Sequence, residues 1–550
     1  YNHVVKFRNV SMRGPWTNGG IEANFGIIGH TPNVATPVDY TIVNKPDGSV
    51  SCVIGVLDLL TRTTWRLDIN LEKDKAYFTT NAFWYNPTSI SQPYYHWMNA
   101  GIKSAGNLQF VNPGTKYISH EGEPSSWPVA ENGTDLSFYN NNNFGGYKSY
   151  HVIGRYSGFY GGYWHDDDFG MGHYASYDGK AGKKVWLWGL SGQGEMWEKL
   201  LSDKDGQEVE VQSGRLFNQP QGTSSLTPFK NKGFLPHTTD KWTEYWFPAV
   251  KTKGIVTANN YGTLNVKREN GWLKIYFQSL QPINADIRIT EGSSTLYLKK
   301  LNVKPLQLYV DSIKDNNIGK DFVVAIAKDK LVYNADPNAD IIARPQLPPA
   351  DIDWNSAYGL YVQGKEEMDK RRYPLAETKL REALKKEKYL SPALVDLAAI
   401  LIRKREYQEA LELTKRALSV NTYDDGANYY YGIVNGLLGN TTDAKEGLDV
   451  AAMGMEYRSA AYTTLSEIHL KEGNYQMSEQ YALKSIDFNR YAMSAYQVLA
   501  VNYRLQQNVG NAKKIVDSML KLDPLNHFAQ YERYLLSGDK GNTAEFTGMI

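Results

Sequence analysis

The sequence is short of almost everything that would make a function easy to read. It has a single cysteine, Cys52, in 550 residues. One thiol cannot build a disulfide framework, a zinc knuckle or an iron–sulfur site within one chain. It has no excess charge of either sign: 60 Lys and Arg stand against 59 Asp and Glu. A nucleic-acid binder or a polybasic membrane anchor usually carries a basic surplus, so both classes are disfavoured. No apolar run reaches the roughly 18 residues of a membrane span. The most apolar stretch, Leu394 to Ile402, is short and contains Asp396. Phosphate-binding loops, nucleotide-binding glycine fingerprints, His-Glu-x-x-His helices and Gly-x-Ser-x-Gly elbows are absent too. His120-Glu121 lacks a second histidine, and Gly189-Leu190-Ser191-Gly192 lacks the closing glycine. The first residue is Tyr1 and no charged-then-apolar leader follows, which reads as a processed or cut chain.

What the sequence does have is aromatic residues: 39 Tyr and 13 Trp against only 18 Phe. Tyr and Trp join an apolar face to a polar handle, which suits wet grooves and sugar faces. The same composition also fits a large β protein with many half-buried strands.

The C-terminal third repeats. Small residues recur every 34 positions at Gly364, Ala398, Gly432, Ser466 and Ala500, and in register at Ala376, Ala410, Ala444, Ser478 and Ala512. A third series runs through Ala383, Ala417, Ala451 and Ser485 and fails at Met519. That period, with small side chains where two helices cross, is the tetratricopeptide pattern. Five repeats are expected over 354–550, beginning near Tyr358, Pro392, Gly426, Ala460 and Ser494, with a capping helix or cut end after Phe528. Residues 335–353 hold Pro337, Pro345, Pro348 and Pro349 and read as a semi-rigid linker. Residues 251–334 read as a small β-sandwich. Leu264/Val266, Ile287/Ile289 and Leu296/Leu298 alternate with polar neighbours, and Asn270-Gly271 signals a hairpin. Residues 1–250 read as a large antiparallel sheet assembly, interrupted by two long loops at Asn140–Gly146 and Gly158–Gly172.

Four strings carry candidate chemistry. Trp164-His165-Asp166-Asp167-Asp168 sets three acids side by side, which repel unless a cation such as calcium or sugar hydroxyls satisfy them. A solvated loop is the plain alternative. Asp203-Lys204-Asp205-Gly206 reads as an ordinary turn, since its glycine comes too early for a calcium loop. In Glu208-Val209-Glu210-Val211-Gln212-Ser213-Gly214-Arg215, strand alternation puts Glu208, Glu210 and Gln212 on one face. Glu244 lies between indoles in Trp242-Thr243-Glu244-Tyr245-Trp246, where desolvation would raise its pKa for use as a general acid, unless it is an exposed rim residue. Tyr94-Tyr95-His96-Trp97-Met98-Asn99 brings a histidine and an amide to aromatic rings.

Together these strings resemble an uncharacterised bacterial domain family, Bacteroidetes-type, found ahead of tetratricopeptide repeats and similar to the galactose-mutarotase-like β-supersandwich. The resemblance covers about residues 1–250. It implies Glu210 as catalytic base, from the Glu-x-Gln strand of galactose mutarotases, and His96 as acid, although Asn99 follows His96 by three positions rather than four. It also implies a secreted, periplasmic or cell-surface setting.

The expectation is therefore a multidomain β plus α protein: a supersandwich, a small β-sandwich and an all-α repeat solenoid. Its expected activity is glycoside hydrolysis by a carboxylate pair, Glu210 with Glu244, and Asp167 in reserve. Asn99, His165, Asp166, Asp168, Gln212 and Arg215 would bind hydroxyls, and Trp97, Trp164 and Trp197 would stack on sugar rings. A mutarotase or epimerase using Glu210 and His96, and a non-catalytic glycan-binding scaffold, are the alternatives. The expected partners are an oligosaccharide or polysaccharide and, through the repeats, a protein or peptide. No cofactor is required by this reading.

Overall fold

The computed structural model describes residues 6–9, 15–30, 33, 36–202, 206–207 and 209–537. Glu208 and the string Asp203-Lys204-Asp205 lie outside the described residues.

Two large antiparallel sheets face each other in the first unit. One has eight strands, in the order Leu108–Val111, Phe159–Trp164, Phe169–Tyr174, Thr239–Val250, Phe78–Tyr85, Thr64–Leu71, Val50–Leu57, Asp39–Asn44. The other has seven, in the order Pro124–Ser126, Lys116–Ile118, Lys148–Ile153, Gly182–Leu187, Val209–Gly214, Tyr95–Ile102, Ile21–Gly26. Their facing sides form one aromatic-rich core, with Trp65, Trp84 and Trp246 from the first sheet meeting Met98, Val185 and Val211 from the second. This accounts for much of the Tyr and Trp usage: an indole fills the inter-sheet space and still satisfies its N–H, as Trp246 does by donating to Thr80 Oγ1 at 2.9 Å.

The expected loop at Gly158–Gly172 is instead a hairpin of two central strands. Its glycines are there for close approach. A Cβ on Gly172 would sit 2.2 Å from the Phe247 ring, and one on Gly170 2.6 Å from Tyr163. Glycine inside a strand marks a place where another group lies on the backbone, and that reading wins here over the loop reading.

A short helix, α1 (Gly192–Trp197), is N-capped by Ser191. The second unit packs two four-stranded sheets between Thr257 and Asn334. Asn270 and Gly271 both take positive φ in the hairpin between Gly262–Glu269 and Trp272–Ser279. In the strand Ser294–Val303 the inward residues are Tyr297, Leu301 and Val303, while Leu298 faces solvent.

The third unit is helical: α2 (Ala357–Asp369), α3 (Tyr373–Lys386), α4 (Ser391–Lys404), α5 (Tyr407–Leu418), α6 (Asp425–Leu438), α7 (Thr441–Ala451), α8 (Arg458–Lys471), α9 (Tyr475–Phe488), α10 (Met493–Leu505), α11 (Val509–Leu522) and α12 (His527–Ser537). They form five antiparallel pairs and a closing helix. The periodic small residues lie where the helices of a pair cross. Ala398, Ala410, Ala444 and Ala512 have no exposed surface, and a Cβ on Gly432 would press on Leu448 at 2.6 Å. No described helix is long and apolar enough to cross a membrane.

The first helices of successive pairs pack on one another and so line the inner side of the array. That side is occupied by the first unit. Ser89 O accepts from Tyr429 on α6 at 3.1 Å, and Ser91 O and Gln92 Oε1 accept from Arg403 on α4. Asn231 N–H and Ser224 Oγ–H donate to Glu366 on α2 at 2.7 and 3.0 Å. His237 Nδ1 meets Ser494 Oγ on α10 at 3.2 Å. The buried pair Arg66–Asp523, at 2.6 Å, closes the far end.

Candidate functional site

The strand Val209–Gly214 decides the site. Val209, Val211 and Ser213 point into the inter-sheet space, so Glu210 and Gln212 point to the opposite, outer face. Sheet register then builds a transverse polar row: Glu22, Asn99, Gln212, Lys184 and His151 stand side by side on five adjacent strands. One step along, Glu210 stands opposite Trp186. Asn99, Gln212, Lys184 and Glu210 floor a cleft of about 210 Å³, walled by Tyr147, Trp186, Trp188 and Trp197 and closed by His30, His120 and Gln219. Trp188 and Trp197 stack with ring centroids 6.1 Å apart.

Hydrogen bonds fix the protonation states. Gln212 Nε2 donates to Glu210 Oε2 at 2.5 Å, and Gln219 Nε2 donates to Tyr95 OH at 2.9 Å. Lys184 Nζ donates to Gln219 Oε1. His120 Nδ1 lies 2.8 Å from the Gln219 carbonyl and so carries its proton there, leaving Nε2 to accept from Ser149 at 2.9 Å. Burial pushes this imidazole down to about 4, so it stays neutral. Burial raises the Glu210 carboxyl above its ordinary value, Glu22 adds to the rise, and His30 and Lys184 oppose it. Burial also lowers the Lys184 ammonium to about 7, with Glu210 pulling the other way. Glu22 accepts from Asn24 and Asn99 at 3.0 and 2.9 Å and meets His30 Nδ1 at 3.0 Å. Two buried atoms of the cleft lining, Asn99 Oδ1 and Trp188 Nε1, have no partner among the described residues.

Only some of the sequence candidates come together here: Glu210, Gln212, Asn99 and Trp197. Glu244 does not. It lies on the other sheet with no exposed surface, and it points into the space between the sheets. There it accepts from Ser213 Oγ at 2.5 Å and Trp242 Nε1 at 3.0 Å, and pairs with His173 at 2.8 Å and Lys180 at 3.2 Å. Burial alone would raise its pKa, but Lys180 and His173 outweigh burial and hold the carboxyl well below the usual range. The expected general acid is thus a structural anion, charged to lower pH than an ordinary glutamate and walled from the cleft by the seven-stranded sheet. His96 shares that interior, between the Phe25 and Trp242 rings at 4.2 and 4.6 Å. Burial and the nearby Lys180 keep it neutral.

The other candidates are structural as well. Trp97 lies over Gly214, where a Cβ would sit 2.3 Å from the indole, and packs against His151. Arg215 pairs with Asp240 at 2.8 Å over the face of Trp242. Trp164 is buried and donates to Lys103 O at 2.8 Å, and His165 Nε2 meets Gln109 at 2.8 Å. Asp166 and Asp167 are exposed in the hairpin turn of the eight-stranded sheet. Asp168 takes positive φ there, pairs with Lys253 at 2.5 Å and accepts from Tyr163 at 2.5 Å, so it fastens the first unit to the second. None of these lines the cleft.

Residues 1–249 match a domain of unknown function, DUF5107. Among solved structures, the chain is similar to a TPR-domain containing protein from Parabacteroides distasonis, at 15% identity over 90% of this chain and 80% of that one, with a TM-score of 0.39. It is also similar to a tetratricopeptide repeat protein from Parabacteroides merdae, at 21% identity over 35% of this chain and 77% of that one, TM-score 0.31. YrrB, a TPR protein with an unusual peptide-binding site, is similar at 17% identity over 33% of this chain and 93% of that one, TM-score 0.29. The cleft lies wholly within the DUF5107 match, and the helical array follows it.

Sequence reasoning missed Glu22, His30, Lys184, Trp186, Trp188, Tyr147, His120 and Gln219. Lys184, Trp186 and Trp188 were within reach, because the alternation Lys184-Val185-Trp186-Leu187-Trp188 puts all three on one strand face. Glu22 and His30 carry no local signal; register sets Glu22 beside Asn99, and hydrogen bonds to Asn24 and Glu22 hold His30 at the cleft.

Proposed function

We propose that the cleft of the DUF5107 unit binds carbohydrate and cleaves glycosidic bonds, on a scaffold of the galactose-mutarotase-like kind. The observation that carries this is the pairing of an aromatic wall with a buried acid, Glu210, beside two unpartnered polar atoms, Asn99 Oδ1 and Trp188 Nε1. Sugar rings offer an apolar face to Trp186, Trp188 and Trp197, and hydroxyls that satisfy both orphans. Glu210, with its raised pKa, holds its proton to higher pH than an ordinary glutamate, which suits it to protonate the leaving oxygen. Glu22 takes the second role in place of Glu244. It stands behind the lining residue Asn99, with its oxygens held by the Asn24 and Asn99 amides and His30 Nδ1.

A second reading is an aldose mutarotase or epimerase, favoured by the two histidines, His30 and His120, that line the cleft with Glu210. Anomer interconversion by NMR without a new reducing end separates the two. Under either reading the repeats first cradle the DUF5107 unit, so a protein or peptide partner would dock away from the filled inner side. Secretion to the periplasm or cell surface goes with a glycan substrate and is checked by cell fractionation.

The test is a screen of oligosaccharides and plant or microbial glycans for new reducing ends, with Glu210→Gln and Glu22→Gln alongside. Turnover lost in both variants supports hydrolysis at this site. Turnover that survives Glu210→Gln refutes it.

A further inference from the structure

Lys184 lies in the cleft floor, 2% exposed. Three other cations withdrawn into the same unit each have a carboxylate close by: buried Arg66 has Asp523 at 2.6 Å, buried Lys180 has Glu244 at 3.2 Å and half-buried Arg215 has Asp240 at 2.8 Å. Lys183, next in sequence, points to the other face and is closed off by the Ser157 carbonyl and the Tyr177 ring. Lys184 differs from all four. Among the described residues it makes no ion pair, its hydrogen-bond acceptor is the neutral Gln219 amide, and it borders an open cleft.

An ammonium withdrawn from water is costly unless an anion or several acceptors replace the solvent. Glu210 acts on Lys184 only at a distance: its charge favours the ammonium, but no ion pair joins the two and Gln212 holds its Oε2. Two nearby groups add donors: Tyr95 OH accepts from Gln219 and so keeps its own hydrogen to give, and Trp188 Nε1–H has no acceptor among the described residues. A neutral sugar offers hydroxyl oxygens to these donors but no charge to the ammonium. A carboxylate or sulfate offers both.

We infer that the cleft takes an anionic carbohydrate, one bearing a uronic-acid carboxylate or a sulfate ester, and that Lys184 is the residue that selects it. The inference rests on the carbohydrate reading above and names its substrate class. The incoming charge also favours the protonated form of Glu210, the form that leaving-group protonation needs.

The test is calorimetric binding to the full chain of three probes of equal length: an oligogalacturonide, a chondroitin-sulfate oligosaccharide and a neutral xylo-oligosaccharide. Each is measured at low and high salt. At least one anionic probe should bind about tenfold or more tighter than the neutral one, the scale of a hydrogen-bonded charge. That advantage should shrink in high salt. Lys184→Met should bring the ratio of affinities close to one, and Lys184→Arg should keep it above one. The salt dependence of the wild type stands even if the methionine variant fails to fold. Whether uronate or sulfate wins identifies the group. Equal or better binding of the neutral probe by the wild type overturns the inference while leaving the carbohydrate reading intact. No binding of any probe overturns both.

Discussion

The two sides of the strand Val209–Gly214 look onto two carboxylates with opposite fates. Outward, Glu210 sits in an open cleft among neutral amides, and burial raises its pKa. Inward, Ser213 reaches Glu244, which is sealed between the sheets by Lys180 and His173 and held well below the usual range. Each acid lies beside indoles in the sequence or the fold. The difference is what else faces them: an ammonium and an imidazole in contact for Glu244, and an amide for Glu210. The contrast teaches that an aromatic setting alone does not raise a carboxyl pKa. The neighbouring charge decides.

The largest effect should come from breaking the inner cluster. Glu244→Ala leaves Lys180 and His173 buried without their anion, and should cost about 3–5 kcal/mol of stability in denaturant unfolding. Glu210→Gln should do the reverse. It should lower turnover on a responsive glycan by about 10²- to 10⁴-fold while leaving the unfolding midpoint unchanged or slightly raised. If Glu210→Gln destabilises and Glu244→Gln is the variant that silences turnover, the two roles have been exchanged.

Next comes the junction with the repeats. Arg66→Ala removes one half of a buried ion pair and leaves Asp523 without its cation, so about 3 kcal/mol should be lost. Limited proteolysis should then release the helical array from the sheets more readily than in the wild type.

The pH dependence sharpens the same contrast. The folded pKa of Glu244 is depressed below the ordinary glutamate value of 4.5, so its stabilisation is full above that value and is lost as pH falls through the folded pKa. The folded pKa of Glu210 is raised, so its contribution is full below 4.5 and is lost as pH rises through the folded pKa. Stability–pH curves should therefore change on their acid limb in Glu244→Gln and towards neutrality in Glu210→Gln. The smallest effect expected is in Trp188→Phe. It keeps a stacking face and removes the orphan N–H, and should weaken glycan binding by about 1 kcal/mol in calorimetry.

Much of the architecture was legible because it is periodic. The 34-residue spacing of small residues located every helix pair, since the crossing at Gly432 and Leu448 leaves no room for anything larger. Strand alternation placed Glu210 and Gln212 on one face for the same reason. What the sequence does not state is which way a face looks. Glu244 and His96 sit in strings just as aromatic as those around the cleft, yet both belong to the interior. The triple acid reads as a binding loop, but Asp168 is spent on Lys253 and Tyr163 in a hairpin turn. Glu22 comes beside Asn99 through pairing with a strand more than seventy positions away, and His30 follows from the bend after that strand, tied to Asn24 and Glu22.

The central claim is that chemistry belongs to the outer face of the seven-stranded sheet. Its most direct test is release of new reducing ends from a glycan panel, compared between the wild type and Glu210→Gln at matched, verified fold. The account predicts turnover of at least one glycan by the wild type and its loss in the variant. Turnover that persists undiminished in Glu210→Gln would contradict it.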